Sequence, residues 1–395
     1  MNKISKVHFD DTEVAFNDKS DFDLKRMYFL FFTMNNPLIA KLGIWLTELA
    51  LKIHLPIKFL VKKTIFAQFC GGESLKDSIK TVEKLGDSYI HTILDYSVEG
   101  ESKEKVFDQN KVEIIQSLKL AQTTSNIPTG VMKLTGFVAF DLLVKKQARK
   151  EFTKEEQVRW DAFIQRVEEI CQYAVDSEKY LFIDAEESWI QEPIDEIVND
   201  LMKKHNKRTV YIFNTYQLYK KSSLDSLKAI HQKAKDEGFK VGAKLVRGAY
   251  MEKERERARE KDYPDPIQVD KAATDQAYDE ALAYCVSHIK TISVCAGTHN
   301  EKSSQYLTQL MEERQIRKDD PRVFFAQLYG MSDNISYTLA DLRYNVAKYV
   351  PYGPVKKVLP YLMRRAQENT SIAGQSSREF LLVKHEMKRR KRNNS

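Results

Sequence analysis

None of the 14 glycines forms a Gly-x-Gly. The Rossmann fingerprint and the Walker A loop are therefore both absent, so any nucleotide cofactor has to be held in another way. Cysteine is scarce. Cys70, Cys171, Cys285 and Cys295 form no CxxC pair or metal-ligand spacing, which fits packing residues in a reducing compartment. The histidines also lack such spacing, and no metal is assigned. Long apolar runs are missing. The longest, 27–40, is uncharged but holds Asn35, Asn36 and Pro37, and a spanning helix needs about 20 apolar residues. Asp10, Asp11, Glu13 and Asp18 break any early apolar region and argue against a signal or transit peptide. A net charge of +7 is too small to imply a nucleic-acid partner.

What is present is a long chain with a large apolar fraction. Its 395 residues, 42% hydrophobic, suit two domains, or one barrel of about 250 residues with an added segment. Residues 1–86 read as a helical arm. Leu42, Leu46, Leu49 and Ile53 recur at helical spacing with Lys41, Glu48 and Lys52 between them. The segment 376–395 reads as a basic tail. Its last twelve residues, KHEMKRRKRNNS, carry six Lys/Arg against one Glu, as in a solubilising extension or a contact for an anionic membrane surface.

From residue 87 short apolar runs alternate with amphipathic helical stretches. Strands are expected at 88–96, 130–135, 180–184, 209–214, 241–247, 293–298, 323–327 and 346–350. Helices fall between them, including 155–177, 224–237, 266–289, 301–313 and 335–340. Eight strands with helical crossovers pair in parallel, and their number favours a closed (β/α)₈ TIM barrel of class α/β over 87–375.

In such a barrel the active site lies at the C-terminal strand ends. Those positions hold Lys133, Asp184, Asn214, Lys244 with Arg247, Thr298-His299-Asn300, Gln327 and Tyr349. Each also has an ordinary structural use. Lys133 can snorkel, Asp184 can cap the next helix, and Glu186 and Glu187 can be helix-start carboxylates. Asn214 and Gln327 can satisfy backbone groups, and His299 can be a structural histidine. The helix EKERERARE, 252–260, reads as a solvated face of i,i+3 ion pairs. After the last strand, Tyr361, Arg364, Arg365 and Glu368 share one helix face behind Pro354. Two arginines beside a tyrosine can grip a carboxylate. These residues describe a barrel enzyme for a small carboxylate without fixing the reaction.

The motifs KLVRGAY (244–250), IDAEE (183–187), FNTYQ (213–217), THN (298–300), YVPYGPV (349–355) and YLMRRAQEN (361–369) resemble proline dehydrogenase, mitochondrial-type branch, in family order. The resemblance implies a flavoenzyme on a distorted barrel. Such an enzyme oxidises L-proline to Δ1-pyrroline-5-carboxylate and passes electrons from FAD to a membrane quinone. It implies Asp184 and Lys244 as catalytic residues, with Asp184 in the polar network that organises the site. Lys133, Arg364 and Arg365 would bind the substrate carboxylate, and Leu245, Tyr349 and Tyr361 would pack on its ring. Leu134, Ala185, Asn214, Arg247, Gly248, Ala249, Thr298, His299 and Gln327 would hold FAD. Two departures stand out: the common bacterial motif reads RLVKGAY, and it has glutamine where this chain has Asn214. The mitochondrial-type branch shares both. The implied location is cytoplasmic and peripheral on the inner face of the membrane in a bacterium, or the mitochondrial inner membrane in a eukaryote. Competing expectations are a hydroxyproline dehydrogenase of the same superfamily, a barrel enzyme with a Schiff-base lysine at Lys133 or Lys244, and a non-catalytic, membrane-associated binding protein.

Overall fold

The computed structural model describes residues 7–36, 38–39, 42–43, 45, 58–96, 103–371 and 375–393. Leu46, Leu49 and Ile53 of the expected arm lie outside the described residues, as does the side chain of Glu368. Eight strands form a closed barrel in the order β1 to β8. They are β1 (Ile90–Tyr96), β2 (Thr129–Lys133), β3 (Tyr180–Asp184), β4 (Ile212–Gln217), β5 (Val241–Val246), β6 (Ile292–Gly297), β7 (Val323–Leu328) and β8 (Val346–Tyr352). All eight expected strands are found, each near its expected place. The pairs β1–β8 and β2–β3 through β6–β7 run in parallel, as helical crossovers require.

Two strands differ from their expected bounds. β4 begins at Ile212 rather than 209 because Asn206 turns the preceding segment. Its amide donates to Ile212 O at 2.8 Å and accepts from the Tyr211 and Ile212 N–H groups. Asn214 is therefore a mid-strand residue, and Gln217 takes the end. β8 runs two residues past the expected 350, so Tyr349 is also mid-strand.

Contacts group the chain into two compact units. One holds 1–7 with 100–326, and the other holds 8–99 with 327–395. The first contains β2–β6 and their helices. Local signals fix many helix ends. Thr153 and Glu156 form a capping box, Asp270 caps Lys271–Ser287, and Asn300 caps Glu301–Glu313. The expected 266–289 helix begins only at Lys271, where Asp270 supplies that cap.

The second unit contains β1, β8 and both terminal segments. The basic end of the chain is helical over Gln375–Asn393, with Leu382, Val383 and Glu386 buried. Arg390 donates to the carbonyls of Phe16 and Lys19 and pairs with Asp21 at 3.0 Å. Beneath this helix lies a charge cluster. Lys348 Nζ is 2.8 Å from Asp333, and Lys19 Nζ is 3.2 Å from the same carboxylate. Although burial opposes it, Lys19 and Lys348 hold Asp333 down to about 2. Nearby, Glu379 accepts from the Ser332 N–H.

Burial, followed by the Asp333 charge, pushes Glu379 up from 4.5 to about 7. A raised carboxylate stabilises the fold fully below its unfolded value, and that stability is lost as pH rises through the folded value. Docking of the last helix should therefore weaken between pH 5 and pH 8, by on the order of 3 kcal/mol. Amide exchange of residues 378–390 at pH 5 and pH 8 measures it. Glu379→Gln should remove the dependence, and equal protection of the wild type at both values would refute the assignment.

Candidate active site

In the first unit the polar residues gather at the ends of β2 to β6. Asp184, last residue of β3, accepts a hydrogen bond from Lys244 Nζ of β5 at 2.5 Å. Both side chains are largely sequestered, at 17% and 7% exposure. Two opposite charges taken from water at such a distance must stay paired. Asp184 caps no helix: the following helix, Ser188–His205, begins behind Glu187 with no side-chain cap.

Arg247 follows β5 and is fixed on every side. Nε meets Asp275 at 2.6 Å, Nη1 donates to Thr298 Oγ1 at 2.7 Å, Nη2 donates to Ser303 Oγ at 3.0 Å, and the guanidinium lies 4.4 Å from the centre of the Tyr278 ring. Gly248 next to it has φ +128° and packs on Tyr219. A β-carbon there would lie 2.4 Å from that ring, so only glycine fits. The Ala249 N–H donates to Gln217 Oε1 at 3.4 Å, and Thr298 N–H to Ala326 O at 3.0 Å. Leu134, Ala185 and Leu245 are buried. Asn214 uses both ends of its amide: Nδ2 donates to Asp195 at 2.9 Å, and Oδ1 accepts from the Thr215 N–H at 2.9 Å. His299 sits between Thr298 and the capping residue Asn300.

Several features differ from the sequence reading. Glu186 is no exposed helix-start carboxylate. It is buried, accepting from Thr135 Oγ1 at 2.6 Å and the Tyr250 hydroxyl at 3.2 Å. Glu187 does start the helix, pairing with Lys253. The helix Met251–Lys261 is not simply a solvated face. Glu254 is 1% exposed and accepts from Ser188 N–H and Oγ at 2.6 and 2.5 Å. Arg257 lies over the Trp189 ring, and Arg255 reaches Asp265. A charge-rich stretch gives no sign of which carboxylate is inward. Sequence reasoning also missed Gln217 and Asp195, whose only signal is their nearness to the FNTYQ motif and the helix behind it.

In the second unit, Gln327 is buried and accepts from Ser336 Oγ at 2.8 Å. Tyr349 of β8 and Tyr361 of the helix Val355–Ser371 are buried. The Arg365 guanidinium lies 5.2 Å from the centre of the Tyr361 ring, one helical turn away, so these two share a face. Arg364 and Arg365 are half-buried. Among the described residues no cluster of His, Cys, Asp and Glu could hold a metal, and all four cysteines are free and buried.

A sequence-family model described as "Proline dehydrogenase" matches residues 78–378. "Proline dehydrogenase 1, mitochondrial" of Caenorhabditis elegans is 40% identical over 246 residues, which are 61% of this chain and 40% of that protein. The chain thus spans less than half the length of that relative. "Hydroxyproline dehydrogenase" of Xenopus laevis is 31% identical over 365 residues, 84% of this chain and 78% of that protein. Among solved structures, proline utilization A of Bdellovibrio bacteriovorus superposes with a TM-score of 0.72 at 18% identity, over 94% of this chain and 40% of that one. That likeness concerns the fold, which is the same barrel. With a family match running from the helix before β1 past the paired arginines, the chain belongs to the proline dehydrogenase family.

Proposed function

We propose that this protein oxidises L-proline to Δ1-pyrroline-5-carboxylate, with FAD as cofactor and a membrane quinone as electron acceptor. The observation that carries this reading is the Lys244–Asp184 pair beside the immobilised Arg247, all within the family-matched segment. The residues suit a flavin. Gly248 lets the backbone after β5 lie tight against Tyr219, and Arg247 is a fixed cation next to it. Leu134, Ala185, Asn214, Arg247, Gly248, Ala249, Thr298, His299 and Gln327 would hold the cofactor. When bound, FAD takes up the electron pair and hydrogen from the substrate's C–N unit, which no side chain can store.

The chain's own residues then have a positioning task. Arg364, Arg365 and Lys133 hold the substrate carboxylate through charge-assisted hydrogen bonds. Leu245, Tyr349 and Tyr361 pack on the five-membered ring and exclude water. Asp184 holds the Lys244 side chain in place through their hydrogen bond, so the polar wall of the site does not rearrange as charge moves. The test is direct: the purified protein should be yellow with flavin absorbance and should reduce a quinone-like dye with L-proline. A colourless protein that forms a borohydride-trappable substrate adduct would instead establish a Schiff-base lysine enzyme.

Hydroxyproline is the second substrate to consider, given the likeness to the Xenopus protein. A tyrosine at 349 fills the space a 4-hydroxyl needs. The wild type should therefore prefer proline over trans-4-hydroxyproline. Tyr349→Ser should narrow that preference mainly by losing proline activity, since cavity formation costs about 2–5 kcal/mol. Ratios of kcat/KM for both substrates check it, and an unchanged ratio refutes the role.

Delivering electrons to a membrane quinone requires contact with the bilayer, on the inner face of a bacterial membrane or the mitochondrial inner membrane. Among the described residues no helix is long and apolar enough to cross a membrane. Leu38, Trp45, Phe59 and Leu60 are all more than half exposed, and Lys58, Lys62 and Lys63 stand among them. Arg390 of the C-terminal helix is engaged within the protein, so the apolar segment is the stronger candidate for lipid contact. Anionic vesicles should float the protein at low salt, and Phe59→Ser with Leu60→Ser should reduce this. Absence of flotation at low salt removes the membrane role.

A further inference from the structure

Glu186 is a buried ionisable group of the first unit that the proposed chemistry leaves without a task. Its carboxylate stands where three strand-end segments meet. Thr135, just after β2, donates to Oε1 at 2.6 Å, and Tyr250, after β5, donates to Oε2 at 3.2 Å. Its own segment follows β3, where its backbone N–H donates to Gln191 Oε1 at 2.7 Å and its carbonyl accepts from Gln217 Nε2 at 2.7 Å. Those three segments carry Lys133, Asp184 and the Lys244–Arg247 stretch. The charged and titratable groups facing it are Lys133 from β2, Asp184 from β3, Glu187 from its own segment, and Tyr250 from the segment after β5.

Burial favours the neutral acid and pushes Glu186 up to about 7. Lys133 is the largest opposing influence, and Glu187 and Asp184 add to the rise. Ionisation therefore places a negative charge close to the ammonium reserved for the substrate carboxylate. The ionised side chain competes with the substrate for Lys133, whereas the neutral acid exerts no such pull.

We propose that Glu186 is a positioning residue that ties together the segments after β2, β3 and β5 and, acting through Lys133, makes carboxylate binding depend on pH. This rests on the assignment of Lys133 to the substrate carboxylate. The ligand class is a small ring carboxylate.

The probe is a saturated five-membered-ring carboxylate lacking the amine, so that the ligand keeps one charge throughout. Its affinity for the purified, flavin-loaded protein is measured by calorimetry from pH 5.5 to 8.5. Wild type should bind it roughly three- to tenfold more weakly at high pH, the scale of one charge at a partly solvated site. Glu186→Gln should bind tightly with no such dependence and with unchanged flavin content. Thr135→Val and Tyr250→Phe each remove a donor to the ionised form, so their midpoints should move to higher pH. These two variants decide the matter if Glu186→Gln does not fold. A dependence that persists in Glu186→Gln, unmoved midpoints in both partner variants, or a wild type that binds equally at all pH values overturns the role of Glu186. A wild type that does not bind the carboxylate at any pH overturns the site assignment itself.

Discussion

Asp184→Ala should lower stability by roughly 3–5 kcal/mol, because it leaves the Lys244 ammonium buried with its charge partner removed. Lys244 is only 7% exposed and lies 2.5 Å from that carboxylate. Water cannot readily replace the lost partner around an ammonium so little exposed. The double variant Asp184→Ala/Lys244→Met should recover most of the stability, since neither charge is then buried alone. It should not recover proline oxidation, which in the proposed mechanism needs the polar wall. Urea unfolding of the three proteins, with dye reduction in parallel, separates the two effects. If Asp184→Ala unfolds at the same urea concentration as wild type, the pair is not a buried one. If the double variant is as unstable as the single, packing rather than charge is what Asp184 supplies.

Arg365→Met should raise KM for proline about 10- to 100-fold. Losing one charge-assisted hydrogen bond to the substrate carboxylate costs roughly 1.5–3 kcal/mol. Methionine keeps most of the bulk packed on Tyr361, over which the guanidinium lies. Flavin content should hardly change, because Arg365 is assigned to the substrate and not to the cofactor. Steady-state kinetics and the flavin-to-protein absorbance ratio measure both quantities. Unaltered proline kinetics would take Arg365 out of the site, whereas lost flavin would move it to the cofactor.

The barrel was legible because its strands are short apolar runs at regular intervals between helices with strong caps. Asn300 announces a helix start by residue type alone, whereas Asp270 carries the same signal and its helix is nonetheless expected from 266. The start of β4 was not legible. Thr209 and Val210 have strand-forming side chains, and only the three hydrogen bonds of Asn206 show that the strand begins later. Lys348 was missed for a related reason. A lysine in an alternating strand reads as outward-facing, yet this one is fully buried because Asp333, fifteen positions earlier, meets it. Glu186 was noticed within its motif but given the role of Glu187. Adjacent glutamates are identical in sequence chemistry, and only the placement of Thr135 and Tyr250 tells the one they hold from the one that starts the helix and pairs with Lys253.

The union of the two terminal segments in the second unit also sets an order of events during synthesis. Phe16 and Lys19 present their carbonyls to Arg390, and Tyr28 packs against Phe380 with ring centres 4.9 Å apart. A ribosome adding about 5–20 residues per second takes roughly 20–75 s to travel from the first of these groups to the last. Throughout that interval the helix Asp21–Met34 waits without its final cover. β1 likewise waits for β8, its parallel partner some 250 residues later. The first unit has its strands β2–β6 complete well before either event. The nascent chain therefore carries five complete barrel strands and an early apolar helix that cannot yet settle, which is the condition in which a chaperone holding the N-terminal segment has most to offer.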